Sequence, residues 1–215
     1  MKIPVDMMVF DLDGTLLTSG QDIASAVNYT LETLGLPTRA YDDIINWIGN
    51  GIHLLVERAL GDENKELYPE ALNLFSHYYE RHMLDTTGPY HGIREVLNHF
   101  SEKRKIVLTN KLVFFAEKIL EALTLSRYFM EIIGGDSNSF RKPDPGVLLP
   151  VIERYALKKE KVVMIGDGVN DLLLARNTGV ISCAFLNGLT ERNRLMDLSP
   201  DFIYENPEEL IHLFQ

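Results

Sequence analysis

Apolar and polar positions along this chain follow two successive rhythms. Val5 to Phe10 is a short apolar run interrupted only by Asp6, which predicts a buried strand. From Ser19 to Leu84 the period becomes helical. Ser19, with Asp22 three positions on, predicts a capping box at a helix start. Ile23, Val27, Leu31 and Leu34 then share one face, and Gly35 with Pro37 ends the helix. Further helices are predicted over Tyr41 to Ile48, stopped by Gly49-Asn50-Gly51, and over Ile52 to Leu60, stopped by Gly61. A fourth, over Glu66 to Leu84, places Leu67, Ala71, Leu74 and Tyr78 on one side. Thr86-Thr87-Gly88-Pro89-Tyr90 reads as a return linker.

From His91 the rhythm becomes helix, strand, helix, strand. The predicted helices are Gly92–Ser101, Phe114–Leu123, Gly146–Tyr155, Val169–Thr178 and Pro207–Phe214. The predicted strands are Lys105–Leu108, Met130–Ile133, Val162–Ile165, Val180–Phe185 and Phe202–Tyr204. Short apolar strands separated by helices imply parallel pairing and a three-layer α/β sandwich. The uninterrupted helices before them imply an inserted helical unit, residues 18–87, in a core built from 1–17 and 88–215.

Composition narrows the partners. Hydrophobic residues make up 46% and charged residues 24%, ordinary values for a globular protein. The formal charge of −10 argues against an electrostatically held nucleic acid or anionic membrane, and means that an anionic ligand needs local cations. Pro4 and Asp6 stand where a signal peptide needs an apolar core, and no apolar run reaches membrane-spanning length. The single cysteine, Cys183, cannot form an internal disulfide and lies in an apolar run. A cytoplasmic protein is expected. The six histidines are dispersed without paired metal-ligand spacing; His53 alone lies close to the Gly49–Gly51 turn.

The chemistry gathers at strand ends. Asp11-Leu12-Asp13-Gly14-Thr15 succeeds the first strand, Thr109-Asn110-Lys111 the second, and Gly166-Asp167-Gly168-Val169-Asn170-Asp171 the fourth. Arg141-Lys142-Pro143-Asp144-Pro145 sits in the loop before a helix. Singly, each has a plain reading: a solvated turn, a surface lysine, a helix cap. A parallel sheet, however, collects the residues beyond each strand at one edge. Carboxylates, a hydroxyl and a lysine collected there suit phosphoryl transfer. Asp11 is the candidate nucleophile, Asp13 the acid and base, and Thr109 the phosphoryl-oxygen donor, with Lys142 and Mg²⁺ neutralising charge.

In this order, these residues resemble the haloacid dehalogenase superfamily of phosphohydrolases: Asp11 to Thr15 as its first motif, then Thr109, Lys142, and Gly166-Asp167 with Asp171. The resemblance implies a Rossmann-like core, a mobile helical cap after the first strand, Mg²⁺ dependence and an aspartyl-phosphate intermediate. It implies metal ligation by Asp11, the Asp13 backbone carbonyl and Asp167, with Asp171 nearby. It also places Thr15, Asn110 and the cap turn Gly49-Asn50-Gly51 at the substrate.

Trp47 to Gly51, Thr109 to Lys111, Ile133 to Asp136, Arg141 to Pro145 and Pro200 to Tyr204 further resemble phosphoglycolate phosphatases. Thr18, in place of an acidic residue, Gly168, in place of serine or threonine, and a loop at 186–189 without tyrosine-glycine depart from that pattern. The expected substrate is a small phosphorylated metabolite, with 2-phosphoglycolate first, and the expected assembly a monomer or weak homodimer. Phosphosugar mutase, pyrophosphatase and nucleotidase activities share the scaffold. A non-catalytic phosphate- or metal-binding protein is the reading from another class, and a docking role for the cap aromatics is a third. Dehalogenation, which needs no acid two residues after the nucleophile, is disfavoured by Asp13.

Overall fold

The computed structural model describes residues 2–215. Six strands form one sheet: β1 (Met7–Phe10), β2 (Arg104–Leu108), β3 (Glu131–Ile133), β4 (Val162–Gly166), β5 (Ile181–Phe185) and β6 (Phe202–Tyr204). Their order is β3-β2-β1-β4-β5-β6, and every pairing is parallel. Every residue of β1 and β4 is buried, the composition required of strands covered on both faces. Alternate side chains feed the two faces. Met8, Phe10, Val107 and Ile165 enter one core, while Met7, Val9, Ile106 and Met164 enter another.

Helix α5 (Ile93–His99), α6 (Val113–Ala122) and α10 (Leu210–Leu213) supply the first core; α7 (Leu149–Arg154) and α8 (Val169–Thr178) supply the second. The result is the expected Rossmann-like α/β/α arrangement. From β1 the chain moves outward through β2 and β3, then returns to the opposite side of β1 with β4, β5 and β6. The β1–β4 border is therefore the switch point, where a crevice opens beyond the carboxyl ends.

Between β1 and α5 lie α1 (Gly20–Thr33), α2 (Tyr41–Trp47), α3 (Ile52–Leu60) and α4 (Tyr68–His82). Val27, Leu31, Val56, Leu60, Ala71 and Phe75 are buried among them. Several local expectations change, among them the helix expected over Pro207–Phe214, which is a 3₁₀ turn at Pro207–Glu209 followed by α10. The α4 stripe is Ala71, Phe75 and Tyr79, because the i+4 row carries the bulky rings into the core. Leu74 is only partly buried, and Tyr78 stacks on Tyr29 at 4.0 Å between centroids. The Ser19–Asp22 capping box does not form. The Ser19 hydroxyl donates to Asp13 Oδ1 at 2.6 Å, and Asp22 reaches across to the return linker.

The helix expected over 146–155 is divided, with a 3₁₀ turn at Pro145–Val147 before α7; Pro145 and Pro150 bring no N–H to a continuous ladder. Helix α9 (Arg192–Met196) was not expected: it is too short for a period to show. Among the described residues, no helix is long and apolar enough to cross a membrane.

Candidate active site

Strand geometry fixes the acidic residues first. The Asp11 amide donates to Ile165 O at 2.9 Å, which carries the β1–β4 ladder one residue beyond β1. Thr109 is held alike on the other flank, its amide donating to Ile133 O at 2.9 Å. Asp167 leaves the end of β4, and Asp171 lies in the first turn of α8, where a carboxylate suits the helix dipole. One carboxylate oxygen from each of Asp11, Asp167 and Asp171 can be chosen so that all three lie within 4.8 Å of one another.

Lys142 enters this group from the loop before α7. Its Nζ lies 2.7 Å from Asp11 Oδ1 and 2.6 Å from Asp171 Oδ1. Asp171 Oδ2 also accepts from the Gly168 amide at 2.9 Å. Asp167 is gripped on both oxygens: the Thr15 hydroxyl donates to Oδ1 and the Leu189 amide to Oδ2, each at 2.7 Å. Gly14 and Gly188 pack so closely that a Cβ on either would overlap the Asp167 side chain; Gly14 also has φ +82°.

With every group ionised, three carboxylates and one ammonium would carry two negative charges in excess. Burial, then the Asp171 charge, pushes the Asp11 carboxyl up to about 8 against the pull of Lys142. Burial likewise pushes Asp167 up to about 7, although the Thr15 hydrogen bond opposes the shift. For Lys142, burial lowers the pKa, but Asp11 and Asp171 outweigh it and the net shift is upward. Burial and mutual repulsion are relieved together when a hard cation sits among the oxygens, so this donor set fits a divalent ion such as Mg²⁺.

Asp13 stands apart from that cluster. Its carboxylate takes the Ser19 hydroxyl and two contacts from Lys111 Nζ, 3.0 Å to Oδ1 and 2.8 Å to Oδ2. The metal role expected of Asp13 therefore rests on its backbone carbonyl alone. A cavity of about 60 Å³ joins the two groups, lined by Asp11, Asp13, Thr109, Asn110, Lys111 and Lys142 on the core side and by residues of α1, α3 and α4 on the other.

The turn after α2 closes over this edge. Gly49 O accepts from Asn110 Nδ2 at 2.9 Å and from Asn170 Nδ2 at 3.0 Å, while Asn170 Nδ2 also reaches Asn50 Oδ1 at 3.2 Å. Asn110 further accepts from the Lys142 amide and donates to Lys142 O, each at 3.0 Å. Its carboxamide thus ties the turn and the Lys142 loop to β2. Gly49 and Gly51 line the 60 Å³ cavity; Asn50 lines a neighbouring cleft of about 300 Å³ that Arg58 and Arg194 also border.

Of the site residues expected from sequence, the structure brings together Asp11, Asp13, Thr109, Asn110, Lys142, Asp167, Asp171 and the Gly49–Gly51 turn. It does not bring Thr15 to the cavity. Thr15 is fully buried and its hydroxyl bonds Asp167 on both sides, accepting from the amide at 2.9 Å, which corrects the expected substrate contact to support of Asp167. His53 is engaged elsewhere, with Nδ1 2.5 Å from the Tyr68 hydroxyl. Ser19, Lys111 and Asn170 were not among the expected site residues. Lys111 and Asn170 had a signal, lying within the strand-end segments already singled out.

Residues 8–185 match the haloacid dehalogenase-like hydrolase profile. The chain belongs to this family. It is 36% identical to a phosphoglycolate phosphatase of Agrobacterium fabrum over 207 residues, covering 93% of this chain and 88% of that one. It is 35% identical to a phosphoglycolate phosphatase of Aquifex aeolicus, covering 96% and 95%. A solved structure described as a predicted phosphoglycolate phosphatase of Haemophilus somnus superposes with TM-score 0.92 at 25% identity, covering 97% of each chain. A haloacid dehalogenase-like hydrolase of Streptococcus pneumoniae superposes with TM-score 0.88 at 26% identity, covering 98% and 99%. This hydrolase is thus phosphoglycolate phosphatase-like in sequence along nearly its whole length.

Proposed function

We propose that this hydrolase is a Mg²⁺-dependent phosphatase of small phosphomonoesters, with 2-phosphoglycolate as the preferred candidate, acting through an aspartyl-phosphate. One observation carries the reading: Asp11 belongs both to the buried carboxylate cluster and to the cavity wall that also holds Asp13, Thr109 and Lys142. The names of its relatives support the substrate.

Asp11, Asp167 and Asp171, with the Asp13 carbonyl, would hold the ion, which supplies charge neutralisation for a dianionic phosphate when bound. The Asp11 carboxylate attacks phosphorus, and Asp13 gives its proton to the departing oxygen. Asp13 then takes a proton from the water that cleaves the acyl phosphate, which restores Asp11 and releases inorganic phosphate. Lys142 orients Asp11 and offsets charge, and Thr109 donates to a phosphoryl oxygen. Residues 18–87 act as the cap on a core of 1–17 and 88–215, with the Gly49–Gly51 turn closing over substrate. A cytoplasmic monomer or weak homodimer meets these needs, since one chain supplies every residue that the mechanism uses.

Phosphate release from 2-phosphoglycolate, beside a panel of small phosphomonoesters, tests the reading. Turnover is expected with Mg²⁺, lost on chelation and lost in Asp11→Asn. Turnover that survives Asp11→Asn rules out the proposed nucleophile. Absence of turnover on the whole panel leaves the binding-protein reading.

A further inference from the structure

The proposed mechanism leaves one cation of the cavity wall, Lys111, without a task. Lys111 Nζ lies beside Asp13 with both side chains almost wholly covered, 7% and 11% exposed, and sits 4.8 Å from the centroid of the Tyr79 ring. An ammonium has three donors; both acceptor oxygens given to it here belong to one carboxylate, which is already shared with Ser19. The wall beyond is apolar: Ile23, Leu55, Phe75 and Phe115 line the same cavity. Asp13 pairs this cation, as burial requires, and a further acceptor entering the cavity would find its ammonium in the wall.

The second observation is Tyr79 itself. It is 1% exposed, lines the cavity, and its hydroxyl has no hydrogen-bond partner of good geometry among the described residues. A buried hydroxyl left unpaired costs free energy that an incoming acceptor recovers. Lys111 and Tyr79 are thus two donors in one wall, beside the group placed to protonate the departing oxygen.

We infer that Lys111, assisted by Tyr79, determines specificity by binding a carboxylate on the leaving group, so that the site selects phosphate esters of short 2-hydroxy acids. This rests on the phosphatase reading. A carboxylate one methylene from the bridging oxygen that Asp13 protonates falls within reach of the ammonium that Asp13 already touches. Within that small cavity the apolar walls offer a sugar or a nucleoside no comparable set of partners.

Paired substrates test this. 2-Phosphoglycolate and ethyl phosphate differ only in a carboxylate against a methyl group. Their kcat/KM ratio cancels whatever a substitution does to Asp13, because both esters need the same proton transfer. The wild type is expected to prefer 2-phosphoglycolate, and Lys111→Met to lower that preference about 10- to 100-fold, the range of a charge-assisted hydrogen bond. Tyr79→Phe is expected to lower it a few-fold without lowering Tm, since it removes an unpaired hydroxyl. It carries the test if Lys111→Met fails to fold. An unchanged ratio in a folded Lys111→Met, or in Tyr79→Phe where that variant alone folds, overturns the inference.

Asp11-dependent hydrolysis of 4-nitrophenyl phosphate separates the two levels. Where it occurs and the wild type shows no preference for the carboxylate, the phosphatase reading stands and the role of Lys111 falls. Where no ester is turned over with dependence on Asp11, both fall.

Discussion

Replacing Asp22 should unfasten the return linker from α1, and the loss can be worked from its hydrogen bonds. The Asp22 carboxylate, 2% exposed, accepts from four donors on two consecutive residues. They are the Thr86 amide at 3.1 Å, the Thr86 hydroxyl at 2.6 Å, the Thr87 amide at 2.9 Å and the Thr87 hydroxyl at 2.7 Å. Thr86 is exposed, so water replaces its bonds in Asp22→Ala at little cost. Thr87 is buried, and its amide and hydroxyl then lose a charged acceptor. At about 1.5 kcal/mol for each charge-assisted bond, the lower end of the usual range, Asp22→Ala should cost about 3 kcal/mol. In a chain of this length that is a fall in Tm of about 6–12 °C.

The pH dependence supplies a second check. Burial opposes ionisation of Asp22, but the Thr86 and Thr87 hydrogen bonds prevail and hold its pKa below the ordinary carboxylate value of 3.8. A lowered folded-state pKa contributes stability fully above the unfolded value and loses it as pH falls through the folded one. The gap between wild type and Asp22→Ala, measured by urea or thermal unfolding, should therefore be full at pH 7 and shrink on acidification below about pH 4. A Tm change under about 2 °C at pH 7, or a gap that persists unchanged into strong acid, would refute the reasoning.

Without divalent cation, folded Asp11 and Asp167 retain protons that the unfolded chain has released, so stability should fall as pH rises from about 4 towards 8. Added Mg²⁺ should raise Tm more at pH 8 than at pH 6 in thermal scans; an equal rise at both would count against the carboxylate cluster as its site. Thr15→Val removes a support of Asp167 and should weaken Mg²⁺ binding about tenfold by calorimetry, with unchanged affinity the contrary result. Asn170→Ala removes one of two bonds to Gly49 O and should speed proteolysis in the 48–51 turn, a rate that stays constant if the turn is held by other contacts.

The sheet and the position of its chemistry were legible because short apolar runs ending in Asp, Thr and Gly are local signals. Val9-Phe10 before Asp11, and Ile165-Gly166 before Asp167, state both a strand and the group it presents. The illegible part depends on pairs distant in sequence. Asp22 reads as a capping residue until the linker 64 residues on lies beside it. Thr15 reads as a substrate hydroxyl until Asp167, 152 residues away, takes it. The buried stripe of α4 could not be decided by period, since Leu74, Phe75, Tyr78 and Tyr79 offer two adjacent apolar rows and the choice belongs to the helices packed against them.

The central position of β1 carries a consequence for motion. That strand is paired on both sides, and Met7, Met8, Val9 and Phe10 are wholly buried, so its amides are expected to exchange with solvent only on global unfolding. The 48–51 turn has no ladder, and its core-facing bonds are side-chain contacts to one carbonyl and one carboxamide oxygen. The cavity between them thus joins backbone expected to exchange slowest to a segment held by a few side-chain bonds. A ligand held there would meet one wall fixed for the lifetime of the fold and another expected to re-form at each encounter.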